Sequence, residues 1–273
     1  MESKRKRNPE VMGIVNLTDD SFYEGSRLLG AGAAAFMERI GAMISEGADI
    51  LDLGACSTRP GSDPVSEEEE WARLAPALKF LVSEHPCLRL SVDTFRPGIV
   101  SRVFDLAGPF IVNDVSGGSE EMWSVVGKLG LPYMAMHTRG TPKDMQSLTD
   151  YDDLLSEIRS FFMNISSAAE AHGVKEWILD PGFGFAKTVS QNWQLLCGMQ
   201  VFKEFGRPIL AGLSRKSFLY KPLGITPSEA LPATCAANLL ALQNGADILR
   251  VHDVAAARQT VEVFLNAGTS GTE

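Results

Sequence analysis

The chain has 273 residues, 45% of them hydrophobic and 22% charged, and a formal net charge of −9. Those values suit a globular chain with a sizeable core. The acidic balance argues against a broad basic face for nucleic acid, and no stretch approaches the ~20 apolar residues of a membrane helix.

The first segment, Met1 to Pro9, is basic through Lys4, Arg5, Lys6 and Arg7. The apolar run behind it breaks at Asn16, so it does not read as a signal peptide, and disorder is expected over 1–9. Cys56, Cys87, Cys197 and Cys235 form no C-x-x-C pair; they read as reduced, buried thiols of a cytoplasmic protein.

Eight short apolar runs follow in order: Val11–Val15, Asp49–Leu53, Leu88–Val92, Phe110–Val112, Pro132–Met136, Trp177–Leu179, Pro208–Ala211 and Asp247–Val251. Near-continuous apolar character is the mark of parallel strands buried on both faces. Helical periodicity fills the gaps, as in Phe36, Ile40 and Ile44, and in Leu154, Leu155, Ile158, Phe161, Phe162 and Ile165. Ser66 and Glu69 have capping-box spacing, and Glu67 to Glu70 form an acidic helix start favoured by the dipole. Gly47 and Gly245 stand where helices end. The alternation predicts a single-domain α/β fold, a (β/α)8 TIM barrel over 10–268, with a C-terminal tail at 269–273. An open doubly wound sheet is the structural alternative.

Barrels of this kind carry their chemistry at the C-terminal strand ends. Here every end is polar or glycine-rich. In order they are Asn16 to Phe22, Cys56 to Gly61, Asp93-Thr94, Asn113-Asp114, Met136-His137, Asp180 to Phe185, Gly212 to Ser217, and Arg250 to Asp253. Asp93, Asn113 and Asp180 suit a flat, nitrogen-rich heterocycle, because a carboxylate can accept two parallel bonds from an N–C–N edge. Arg250, His252 and Ser217 suit a diphosphate. The residues alone thus describe a barrel for a polar heterocycle and an anionic group, without naming a reaction.

Taken in order, Asn16-Leu17-Thr18-Asp19-Asp20-Ser21-Phe22, Ser57-Thr58-Arg59-Pro60-Gly61, Ser91-Val92-Asp93-Thr94, Asn113-Asp114-Val115, Asp180-Pro181-Gly182-Phe183-Gly184-Phe185, Ser214-Arg215-Lys216-Ser217 and Arg250-Val251-His252-Asp253 resemble the dihydropteroate synthase family. The resemblance runs from Val11 to about Val263. It implies condensation of 6-hydroxymethyl-7,8-dihydropterin diphosphate with 4-aminobenzoate by dissociative substitution, in folate synthesis, at a sulfonamide target. It implies that Asp93, Asn113, Met136, Asp180, Phe185, Gly212 and Lys216 hold the pterin. Asn16, Arg250 and His252 would bind the diphosphate, Asn16 through Mg2+. Phe22, Thr58, Pro60 and Ser217 would form the aminobenzoate site. Asp93, Lys216, Arg250, His252 and Glu24 would serve catalysis. It also implies a homodimer.

Three positions depart from the family pattern: Asp19 stands for a proline, Glu24 for an aspartate, and Cys56 for a glutamate or other polar residue. Two rival readings are a pterin-binding methyltransferase barrel and a catalytically silent pterin-binding homologue. The first needs no diphosphate groups; the second would release no diphosphate.

Overall fold

The computed structural model describes residues 8–17, 31–56, 65–141 and 143–269, the side chains at 31–33, 146 and 269 excepted. Among these residues lie eight parallel strands: β1 (Glu10–Asn16), β2 (Ile50–Gly54), β3 (Arg89–Asp93), β4 (Ile111–Asp114), β5 (Tyr133–Met136), β6 (Trp177–Asp180), β7 (Leu210–Ala211) and β8 (Ile248–Val251). The ladder runs β6-β5-β4-β3-β2-β1-β8-β7. A single parallel bridge, Leu179 to Ile209, joins its two ends. The sheet is therefore the expected (β/α)8 barrel and not an open doubly wound sheet.

Several strands reach one or two residues further than their apolar runs. β3 takes in Asp93, β4 Asn113 and Asp114, and β6 Asp180. Hydrophobicity stops at these polar residues, but the backbone ladder does not, because their side chains meet the barrel mouth or a local partner. β7 is shorter than its apolar run. Pro208 has no N–H to give, and contributes only its carbonyl, which accepts from Leu179 N at 2.9 Å.

The helices are α1 (Ala31–Ser45), α2 (Glu67–Glu84), α3 (Pro97–Ala107), α4 (Glu120–Leu129), α5 (Leu154–Ala171), α6 (Val189–Gly198), the short α7 (Ser217–Tyr220), α8 (Leu231–Gln243) and α9 (Val254–Thr269). Phe36 and Ile40 of α1, and Leu154, Ile158, Phe162 and Ile165 of α5, are buried against the strands as their spacing predicts. Ser66 caps α2 by accepting from Glu69 N at 3.2 Å, one half of the expected box. Gly47 and Gly245 have φ of +94° and +99°, the positive-φ caps that the sequence suggests. Glu70 leaves the exposed acidic run: it shares the apolar stripe with Leu74, Ala77, Leu78 and Leu81, is fully buried, and pairs with Arg96. The four cysteines are unpaired, but Cys87 and Cys197 are exposed and Cys56 and Cys235 half-buried. The expectation of buried thiols therefore fails; Cys197, for example, lies on the outer face of α6 beside the exposed Gln194.

Two apolar layers hold the barrel. The larger lies between strands and helices. The smaller plugs the interior and consists of Met12, Ile50, Ile111, Met134, Ile178, Leu210 and Ile248. Side chains two apart on a strand share a face. Two residues beyond the plug therefore stand Asp52, Asn113, Met136, Asp180, Gly212 and Arg250. The plug is the floor on which the polar layer rests. Ile248→Ala should lower stability by about 2–5 kcal/mol, read as an earlier urea midpoint at unchanged m. No helix among the described residues is long and apolar enough to cross a membrane.

Candidate active site

Asp52 is the hub of the polar layer. It is fully buried and accepts from Ser91 Oγ at 2.6 Å, Asn113 Nδ2 at 3.0 Å and Arg250 Nε at 2.7 Å. Arg250 Nη2 reaches Asp52 at 2.6 Å and Asp93 at 3.2 Å. Burial opposes the guanidinium charge, but Asp52 and Asp93 outweigh it and hold the Arg250 pKa above its ordinary value. Among the described residues, Nη1 has no protein acceptor. That leaves one face of the guanidinium to a ligand.

Two carboxylates share this one guanidinium, and Asp93 bears the surplus. Burial pushes its pKa up to about 7, Arg250 pulls it down, and Asp52 adds to the rise. Asn113 is oriented by the same hub. Asp52 is an acceptor, so the amide must present Nδ2 to it. Its Oδ1 is then left buried without a partner among the described residues. A buried carbonyl of this kind costs free energy until a donor arrives.

Across the mouth, Asp180 Oδ1 accepts from Gly182 N at 2.8 Å. Burial raises its pKa, while Lys216, Arg250 and Lys187 oppose the rise. Met136 is β5's neighbour of Asp180 in the ladder and is buried. The following loop turns back sharply. Gly182 has φ +70°, and a Cβ there would stand 1.9 Å from the His137 carbonyl oxygen, so only glycine fits. Lys216 Nζ donates to Phe183 O and lies 4.7 Å from the centre of the Phe185 ring. Burial lowers the Lys216 pKa to about 8, and Asp180 opposes the fall. Gly212 leaves the floor open beside it, with Nζ 4.0 Å from the place of an added Cβ.

His252 lies 2.9 Å from Ser214 Oγ through Nδ1. Ser214 Oγ also accepts from the His252 backbone N–H at 3.2 Å; where its own proton goes to Nδ1, Nε2 carries the ring proton. Burial, followed by Arg250, lowers the His252 pKa to about 4. The ring is therefore a neutral donor near pH 7. Arg215 is structural: it holds Asp253 by bonds of 2.9 and 2.7 Å. Ser217, half-buried, opens α7.

Asn16 ends β1 and is exposed, with Oδ1 3.9 Å from the place of an added Cβ at Gly54. Among the described residues, no three His, Cys, Asp or Glu gather as a metal site. A lone amide oxygen fits Mg2+, which keeps several waters and takes other ligands from substrate phosphates.

The structure thus gathers Asp93, Asn113, Met136, Asp180, Phe185, Gly212, Lys216, Arg250 and His252 at one rim. Phe22, Glu24, Thr58 and Pro60, with Asp19, lie outside the described residues, as do 1–7 and 270–273 of the two terminal segments. Sequence reasoning missed Asp52, Ser91 and Lys187. The signal for Asp52 was present: it is the one charged residue of Ile50-Leu51-Asp52-Leu53-Gly54, a strand buried throughout.

The model of the family described as pterin binding enzyme matches residues 12–252. A dihydropteroate synthase of Escherichia coli is 38% identical over 263 residues, which are 94% of this chain and 90% of that protein. One from Synechocystis is 42% identical over 258 residues, 93% of this chain and 88% of that protein. The dihydropteroate synthase of Yersinia pestis, solved as a sulfonamide drug complex, has a TM-score of 0.88 at 34% identity and covers 96% of this chain and 95% of its own. That of Xanthomonas albilineans, solved with 7,8-dihydropteroate, has a TM-score of 0.82 at 34% identity, with 96% and 94% covered. The chain therefore belongs to the pterin binding enzymes. Within them its family is that of the dihydropteroate synthases, transferases of folate biosynthesis.

Proposed function

We propose that the barrel mouth joins 6-hydroxymethyl-7,8-dihydropterin diphosphate to 4-aminobenzoate, giving 7,8-dihydropteroate and diphosphate. The observation that carries the reading is the buried Oδ1 of Asn113, which has no partner among the described residues, beside the acidic Asp93 and the cationic Arg250. This layer offers acceptors to ring N–H groups and a cation to a leaving diphosphate within one enclosed space.

In the reaction, the bond from the exocyclic methylene carbon to the diphosphate oxygen breaks, and its electron pair leaves with the diphosphate. The pterin ring carries the resulting positive charge. The aromatic amine then forms the new C–N bond and loses its extra proton. Asp180 and Asp93 accept from the heterocycle and stabilise the ring cation; Asn113 Oδ1 takes a further N–H. Met136 and Phe185 form the slot. Lys216 and Nη1 of Arg250 neutralise charge developing on the diphosphate, and the neutral His252 ring donates its N–H. Asn16 would hold Mg2+, which when bound supplies further positive charge to the leaving group. Ser217, at the same rim, suits the aminobenzoate side, together with Phe22, Thr58 and Pro60, while Glu24 is assigned to catalysis by family resemblance. A homodimer in the cytoplasm completes the reading. Its support is the family resemblance, with Trp193 of α6 and Leu240 of α8 as exposed apolar surface.

The test is diphosphate release from the pterin diphosphate with Mg2+, with and without 4-aminobenzoate, following dihydropteroate in parallel. Release that depends on aminobenzoate and matches product supports the synthase. Pterin binding without turnover would favour a silent homologue or a methyl-transfer barrel. Within the same site, Asp93→Asn should weaken pterin binding roughly 10- to 100-fold, because a charge-assisted acceptor is lost. Unchanged affinity in calorimetry would remove Asp93 from the pterin site.

A further inference from the structure

Lys187 lies beyond the residues with an assigned role, yet it is one of the most buried cations of the described chain, with 4% of its surface exposed. Its ammonium has three N–H bonds and meets three acceptors: Gly182 O at 2.9 Å, Phe185 O at 3.0 Å and His137 Nδ1 at 3.1 Å. The first two belong to the loop that follows β6. The third belongs to the end of β5, where His137 N also donates to Asp180 O at 2.8 Å. The loop is conformationally strained: besides Gly182, Ala186 adopts a positive φ of +48°. Asn192 of α6 holds it from outside, accepting from Gly184 N at 2.6 Å.

We infer that Lys187 is a positioning residue for the pterin: its ammonium splints the strained loop after β6 to His137, the residue that follows β5, and so fixes Asp180, Met136 and Phe185 relative to one another. The inference rests on the pterin reading of the barrel mouth. Each of the three slot residues is a contact of the splint or lies within two residues of one. Asp180 begins the loop, Phe185 gives its carbonyl to Lys187, and Met136 precedes His137. Lys216 grips the same loop from the inner side through Phe183 O. The two lysines therefore take up successive carbonyls of one segment. Gly182 O would keep the Phe185 N–H at 3.1 Å without them, but Phe183 O and Phe185 O take their donors from the two lysines.

The arrangement also fixes the state of His137. An ammonium donating to Nδ1 requires a neutral ring protonated at Nε2. Burial lowers the His137 pKa, and Lys187 and Arg139 add to the effect. Tyr151 and Phe161 are the ring neighbours of His137 and bring no opposing negative charge. Burial also lowers the Lys187 pKa, to about 7, against the pull of Asp180, while Lys216 and Arg139 favour the fall. The three acceptors favour the protonated amine.

The first readout needs no substitution. Nitrogen-15 NMR of the histidine rings in the wild-type protein should show His137 neutral and protonated at Nε2 at about pH 5 to 6, below the Lys187 pKa of about 7. An imidazolium, or a proton on Nδ1, would overturn the inference. The second readout is Lys187→Met, which keeps length and removes the donors. At a temperature where the variant is folded, pterin diphosphate affinity should fall roughly tenfold. The KM for 4-aminobenzoate at saturating pterin should change less than about twofold, since the splint touches only the pterin side. The His137 pKa should rise by about one unit or more as a like charge is removed. A lower melting temperature with unchanged pterin affinity would make Lys187 a strut of the fold alone and overturn the proposal. Should the wild-type protein fail to bind pterin, the functional reading fails and not the splint, which the NMR readout judges separately.

Discussion

Arg250→Met is expected to lower kcat/KM by at least roughly 10²–10³, the usual effect of removing one preorganised charge donor. The loss has two sources. Nη1, which has no acceptor among the described residues, would be lost to the leaving diphosphate of the proposed reaction, and the acidic pair behind it is no longer neutralised. Asp52 is fully buried, and Asp93 nearly so. Removing the shared cation leaves two carboxylates facing each other in a dry layer. Breaking a buried pair in this way costs about 3–5 kcal/mol.

The same substitution should change how stability depends on pH. In the wild-type protein the Asp93 pKa already stands near 7, well above the ordinary 3.8. A raised folded value means that the folded state binds the proton more tightly. Its contribution is full below the unfolded value and is lost as pH rises through 7. Arg250 is the one influence on Asp93 that lowers this value, so its removal pushes the value higher and extends the loss to more alkaline pH. The gap in melting temperature between wild type and variant should therefore widen from pH 5 to pH 8. A gap that is constant with pH, together with kcat/KM within tenfold of wild type, would place Arg250 outside the reacting layer.

The strand ends were legible because parallel barrel strands are nearly uniform in hydrophobicity, so each polar residue that ends a run marks the mouth. Asp93, Asn113 and Asp180 announce themselves in this way, and Arg250 stands out as the one cation within the run Asp247–Val251. Asp52 does not end its run; it lies within it, two positions above the plug residue Ile50, and its meaning depends on Arg250, 198 residues away. No local periodicity carries a pairing at that separation. Glu70 is the contrary case. Its place on the stripe of Leu74, Leu78 and Leu81 could be read from spacing, and the neighbouring glutamates masked it. Lys187 was hidden for another reason. A lysine after a glycine-rich turn looks like a solvated loop charge, and only the return of the loop onto β5 brings its three acceptors together. The bridge at Ile209 shows the same limit for the backbone: Pro208 lies in an apolar run, but its missing N–H ends the ladder there.

Lys216→Met should also lower kcat/KM by roughly 10²–10³, and its pH profile separates chemistry from packing. Burial brings the Lys216 pKa down to about 8, against the pull of Asp180. Below that value the ammonium is present to neutralise the departing diphosphate; as pH rises through it, the proton and the charge are lost. Wild-type kcat/KM should therefore fall on the alkaline side with a midpoint near 8. In Lys216→Met the residual activity should lose that limb, because the group that titrates is gone. The variant keeps most of the aliphatic stem, which lies beside Gly184, and removes the ammonium over the Phe185 ring. A residual limb at the same pH in the variant would transfer the titration to another cation, with Lys187 the nearest candidate, and would leave Lys216 as a clamp on Phe183 O. Loss of the limb with pterin affinity held within a few-fold would assign Lys216 to the leaving group and not to ground-state binding of the ring.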